Sequence, residues 1–125
     1  MAVAHGQSSI SVDGDIITVK AVGAFNVEGI TKTIEQLKFF IEGFGQKEFK
    51  LLFDYTETEG GTPDVFDKIN ECNIWLNSQN MVAKAVVVHS EILFKILESR
   101  TPARHSQNEQ SFDDIASAIN WLASQ

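Results

Sequence analysis

Hydrophobic positions along the chain follow two alternating rhythms. Ser8 to Val12 and Asp15 to Val22 are rich in Ile, Val and Thr, and Asp13-Gly14 stands between them. Asp-Gly between two β-prone runs predicts a hairpin with a type I′ turn, whose two central residues both need positive φ. After Gly23 the rhythm lengthens. Val27, Ile30, Ile34, Leu37, Ile41 and Phe44 recur at three- and four-residue steps and draw one helical stripe. Asn26 is placed to cap that helix, and Gly43 and Gly45 to end it. Phe49 to Tyr55 reads as a buried strand, followed by a loop from Thr56 to Thr62 with Gly60-Gly61 as its flexible point. Thr62 then caps a second helix opened by Pro63, at a position where a missing N–H does no harm. Its inward stripe is Val65, Ile69, Cys72 and Leu76.

Ala83 to Val88 is the next buried strand, and Ser90 caps a third helix through Glu98 that turns Leu93, Ile96 and Leu97 inward. Pro102 breaks the chain. Arg104 to Gln110 is polar throughout, so any strand there is expected to be an exposed edge. Ser111 is expected to cap the last helix, with Asp113 and Asp114 in its first turn and Ile115, Ala118, Ile119 and Leu122 on its buried face. The order β-β-α-β-α-β-α-(β)-α predicts an α/β fold: a mostly parallel sheet of four or five strands with right-handed crossovers, an N-terminal hairpin and four helices.

A chain of 125 residues fits one domain, placed at residues 8–125 behind a flexible tail at 1–7. Seventeen acids against ten bases leave a charge of −7, which repels phosphate backbones and anionic membranes and speaks against nucleic acid as a partner. No apolar run reaches the roughly 20 residues that span a bilayer. Met1 to Gln7 lacks the basic segment and apolar core of a signal peptide, so the expectation is a cytoplasmic protein. Cys72 is the only cysteine, which rules out an internal disulfide and a cysteine-rich zinc site, and its place on the second stripe suits a core role. His5, His89 and His105 lack ligand spacing, so neither a metal nor a cofactor is expected.

Asp54 and His89 fall at the carboxyl ends of strands that should be neighbours, the edge where open α/β sheets bind ligands. A carboxylate beside an imidazole would orient a general base, with Thr56, Thr58 or Ser90 as the hydroxyl. The plainer reading makes Asp54 a cap for loop amides and His89 a strand end. No G-x-S-x-G element accompanies them, so no catalytic residue is assigned. Glu57, Glu59 and Asp64 make the following loop acidic, and Gly60-Gly61 lacks the lysine of a phosphate loop. Phe39 lies about 180° from Ile30 on its helix, and Ile74 about 180° from Val65, at roughly 100° per residue. With Phe66 beside the second stripe, these residues form the candidate association surface, and a homodimer is expected.

Three segments carry a family resemblance: Leu51-Leu52-Phe53-Asp54 before the variable loop, Ala85-Val86-Val87-Val88-His89, and Phe112 followed by Ala118 and Trp121-Leu122. The chain resembles the SpoIIAA-like branch of the STAS superfamily, named for sulfate transporters and anti-sigma-factor antagonists. The resemblance implies a β-α superhelix whose helices largely cover one sheet face, and a non-enzymatic regulatory module that binds a protein partner. In the better-known relatives a kinase phosphorylates a Ser or Thr in a D-[ST]-[ST]-G pattern at the start of the second helix. Thr58 and Thr62 are the nearest positions here, in the longer stretch from Thr56 to Thr62. Related lipid-carrier folds supply the alternative, a carrier or sensor of a small apolar ligand. A hydrolase using Asp54 and His89 is the third reading. Both faces of the central strands are apolar, so the uncovered face is expected to meet the hairpin, a bound apolar molecule or a second copy.

Overall fold

The computed structural model describes residues 3–125 of the chain. The opening hairpin pairs β1 (Gln7–Asp13) with β2 (Ile16–Phe25), and Asp13 faces Ile16 across a two-residue loop. The central loop residues are therefore Gly14 and Asp15, and only Gly14 has positive φ, at 61°. That is the requirement of a type II′ turn, in which glycine alone takes the left-handed position, and it replaces the predicted type I′ turn. Residues 1–7 were expected to form a tail. Met1 and Ala2 lie outside the described residues, but Val3 and His5 are tied to Asn26 by hydrogen bonds of 2.8 Å, and Gln7 already belongs to β1. Gly29 permits this crossing, since a Cβ there would sit 1.8 Å from the His5 carbonyl oxygen.

Asn26 caps α1 (Val27–Glu42) by accepting from the Gly29 amide at 2.9 Å. The chain then continues through β3 (Phe49–Gly61), α2 (Pro63–Leu76), β4 (Met81–Val87), α3 (Glu91–Arg100), a 3₁₀ turn at Pro102–Ser106, β5 (Glu109–Phe112) and α4 (Ile115–Ala123). The five strands lie side by side in chain order, antiparallel between β1 and β2 and parallel thereafter. Strands added in one direction by right-handed crossovers place every crossover helix on the same face. Alternation along β3 confirms it. Phe49 and Leu51 pack with Leu37 and Ile41 of α1 and with Cys72 and Leu76 of α2. Leu52 faces the other way, into a cluster with Ala83, Ala85, Val87, Ala118 and Leu122.

That second cluster answers the question of the uncovered face. No crossover follows β5, so α4 is free to turn beneath the sheet. The small side chains Ala83, Ala85 and Ala118 let it approach closely. The hairpin, ligand and second copy named as possible covers are not what closes this face over β3 and β4. Phe49, Leu51, Leu52, Leu76 and Leu122 are at most 1% exposed. Each such side chain stabilises the fold by ~1.5–3 kcal/mol on burial.

Four further local expectations are corrected. Thr56 to Gly61 is not a loop but the second half of β3, paired with Val22 to Phe25 of β2. Ser111 lies within β5, and the cap of α4 is Asp114, which accepts from the Ser117 amide at 2.7 Å. Ile119 is 43% exposed rather than on the buried face of α4. Phe66 is only 4% exposed, packed with Val86, Leu93 and Leu97, which removes it from the candidate association surface. Phe39 and Ile74 do point outward, at 73% and 58% exposure.

Candidate functional site

Parallel strands bring their carboxyl ends, and the helix starts that follow them, to one edge of the sheet. Asn26, Thr62, Ser90 and Asp114 stand at the four helix starts. Because α3 lies on one face and α4 on the other, a crevice opens between the ends of β4 and β5. Its volume is about 430 Å³, and His89, Ser90, Phe94, Phe112, Asp113 and Ser117 are among its walls.

Four of the six polar residues expected at this edge, Asp54, Thr58, His89 and Ser90, hold backbone groups, while the Thr56 and Thr62 hydroxyls donate to carboxylates. Along the β2–β3 ladder Lys20 faces Asp54 while Val22 faces Glu57, so β3 carries one more residue than β2 there, and a second irregularity falls between Gly23 and Ala24. At the first bulge, Asp54 Oδ1 accepts from the Thr56 amide at 2.9 Å and from its hydroxyl at 2.7 Å. Thr58 Oγ1 donates to the Ala21 carbonyl at 2.7 Å, tying the two strands where their register slips. Such bulges need side chains to satisfy freed backbone groups. Ser90 accepts from the Leu93 amide at 3.1 Å, the expected cap. His89 Nε2 lies 2.9 Å from the Asp113 carbonyl oxygen, so the imidazole bridges the ends of β4 and β5. No hydrogen bond joins Asp54 to His89 among the described residues. Thr62 occupies the helix-start position but makes no side-chain cap, its hydroxyl being turned to the Asp64 carboxylate instead.

A second polar group, absent from the sequence-based expectation, lies inside the molecule. Lys84 faces Glu109 across β4 and β5, its Nζ 2.8 Å from Oε1, and the two side chains are 3% and 7% exposed. The other Glu109 oxygen meets the Arg104 guanidinium, and Lys84 donates to Asn73 Oδ1 at 2.7 Å. Burial holds the Lys84 ammonium below its ordinary lysine value, against the opposing pull of Glu109. The expected exposed polar edge at Arg104 to Gln110 thus includes a buried ion network. A lysine inside the apolar run Ala83 to Val88 was the available signal, since a buried ammonium requires partners.

Beside this network the sheet and the helices above it enclose a cavity of about 50 Å³, with Leu37, Phe53, Tyr55, Cys72 and Lys84 among its lining. Burial raises the Tyr55 hydroxyl above its ordinary range and pushes the Cys72 thiol up to about 11, so both stay neutral at physiological pH. Among the described residues no group of His, Cys, Asp and Glu side chains is arranged to hold a metal ion. No helix among them is long and apolar enough to cross a membrane.

A hairpin-led parallel sheet with its crossover helices on one face and its last helix on the other defines a small α/β superhelix. The SpoIIAA-like family model matches residues 16–123, and the chain belongs to that family. Among solved structures it is similar to a protein of the DUF3478 family with a SpoIIAA-like fold from Shewanella loihica PV-4. Identity is 18%, coverage 98% of this chain and 97% of the other, and the TM-score 0.69. An anti-sigma factor antagonist from Mycobacterium paratuberculosis aligns at 8% identity over 95% of both chains, with a TM-score of 0.72. The anti-sigma factor antagonist SpoIIAA in its unphosphorylated form aligns at 9% identity over 97% of this chain and 100% of its own, at 0.63. At these identities the likeness is one of fold. No curated protein matches the chain.

Proposed function

We propose that this chain is a non-enzymatic, cytoplasmic regulatory module that acts by protein–protein contact and associates with itself. One observation carries the reading: four of the polar side chains at the carboxyl edge of the sheet are committed to backbone. Asp54 and Thr58 secure the β3 bulges, His89 reaches the end of β5, and Ser90 caps a helix. What the edge presents outward is acidic, with Glu57, Glu59 and Asp64 exposed around the start of α2. Such a surface suits a partner with a basic face. Two structural neighbours are anti-sigma factor antagonists, a name that describes action on another protein, and the same mode of action is read into this chain. A phosphorylation switch is left out, because Thr58 is occupied within the sheet and Thr56 to Thr62 departs from D-[ST]-[ST]-G.

The carrier alternative draws no support from the interior. Sites for small molecules occupy roughly 300–1,000 Å³, whereas the enclosed cavity measures about 50 Å³. The test of the main reading is affinity capture with wild-type protein and with a Glu57→Lys/Glu59→Lys/Asp64→Lys variant, followed by calorimetric titration of the purified pair. Binding that the variant weakens by about tenfold or more supports it. Turnover of an esterase or phosphatase substrate that disappears in Asp54→Asn/His89→Asn overturns it.

A further inference from the structure

The first strand leaves one side of the sheet open. Among the described residues β1 pairs with β2 alone, so its outer edge presents backbone groups with no ladder partner. In a two-residue hairpin the residues flanking the turn exchange both hydrogen bonds, and bonded and non-bonded pairs then alternate. Counting back from Asp13, Ser11, Ser9 and Gln7 face β2. Ser8, Ile10 and Val12 therefore aim their amides and carbonyls at the open side. Natural edges are commonly blunted by lysine, proline, a bulge or short length. This one has none of them: it is seven residues long, pairs with β2 without a register shift, and is uncharged from Gln7 through Val12.

We propose that two copies of this chain pair through β1, antiparallel about a twofold axis at Ile10, so that their sheets become continuous. The proposal rests on the self-association reading above and names its surface. A twofold axis perpendicular to a strand makes the pairing antiparallel and isologous, and centring it at Ile10 uses all seven residues. Ile10 meets Ile10 of the second copy, Ser8 meets Val12, Ser9 meets Ser11, and Gln7 meets Asp13. The residues with free backbone groups are thereby matched with one another, as an antiparallel ladder requires. Charge favours a second copy at this place. The molecule carries −7, yet the edge is neutral over six residues, and the neighbouring groove between β1 and α1 holds both Lys32 and Glu35. Two like-charged molecules can approach here with little repulsion. The same groove includes Ile10, Phe39 and Phe40, so Phe39 supplies an apolar flank next to the seam.

Ser9 and Ser11 are exposed and make no side-chain hydrogen bond among the described residues, so they accept substitution without disturbing the core. Across the proposed seam each stands opposite the other. Ser9→Glu/Ser11→Glu sets like charges face to face twice, whereas Ser9→Glu/Ser11→Lys sets opposite charges face to face twice. Sedimentation equilibrium over a concentration series, with circular dichroism to confirm folding, tests the proposal. The expected result is a wild-type dimer whose dissociation constant rises about tenfold or more with two glutamates and returns toward wild type with the mixed pair. A dimer unaffected by the two glutamates overturns the β1 interface while keeping self-association. Failure of the mixed pair to restore association overturns the axis at Ile10. A wild-type monomer at every concentration overturns both the interface and the self-association reading.

Discussion

At one margin of the sheet, β1 runs for seven residues with nothing but glutamine, serine, isoleucine and valine before Asp13. At the other, β5 has four residues, and Glu109 within it is held between the Lys84 ammonium and the Arg104 guanidinium. The short margin is fixed by buried charge, and α4 follows directly to cover the sheet beneath it. The long margin is neutral from Gln7 through Val12 and, like β5, has a sheet neighbour on one side only. Buried ions contribute little net stability, because desolvation offsets their attraction, but they penalise arrangements that separate them. An uncharged strand edge penalises few arrangements. The difference teaches where this molecule specifies its own fold and where an edge carries no such constraint.

The comparison is broken most severely by Glu109→Ala. That change leaves Lys84 and Arg104 buried together without their acid, and the expected loss is ~3–5 kcal/mol of unfolding free energy in urea. Lys84→Met should cost less, since Glu109 keeps Arg104. A loss below about 1 kcal/mol for Glu109→Ala would mean that the network does not hold β5.

The next effect separates two helix starts of similar sequence. Ser90 makes its cap bond and Thr62 does not. Ser90→Ala should therefore lower stability by about 1 kcal/mol, and Thr62→Ala by less than about 0.5 kcal/mol. Equal shifts of the two denaturation midpoints would contradict the assignment. The smallest effect concerns acid. The Ser117 amide and hydroxyl hold the Asp114 carboxyl below its ordinary value. A depressed folded value means stability that is present above the unfolded value and lost as pH falls through the folded one. Asp114→Asn keeps an acceptor at the cap, so it should flatten the acid limb of stability below about pH 4 while leaving neutral pH nearly unchanged.

Periodicity carried most of the fold because it reports burial. The stripe from Val27 to Ile41 became α1, and Leu51 to Asp54 with Ala85 to Val88 became the centre of the sheet. It failed where polar residues do structural work at long range. Thr56 to Gly61 has the composition of a loop, yet it pairs with β2 because bulges absorb its extra residues and Asp54 and Thr58 bind the backbone there. Glu109 looked like surface because Lys84 lies on β4, remote in sequence, and the short step to Arg104 in the 3₁₀ turn matches no strand or helix period. Phe66 sits near the margin of its helical stripe, and only the packing of α3 against α2 decides that it is buried. At the candidate site the identities of Asp54, Thr58, His89 and Ser90 were legible. The local partners of Ser90 and Asp54 follow from capping geometry, whereas those of Thr58 and His89 lie on other strands and leave no spacing rule in the sequence.

Hydrogen–deuterium exchange measured residue by residue across a protein dilution series puts the contrast between the two margins to its most direct test. The expected result is that the amides of Ser8, Ile10 and Val12 gain protection as concentration rises, while those of Glu109 to Phe112 keep the same protection throughout. Amides of β1 that exchange at one rate at every concentration, or protection that rises at β5 instead, would contradict the account.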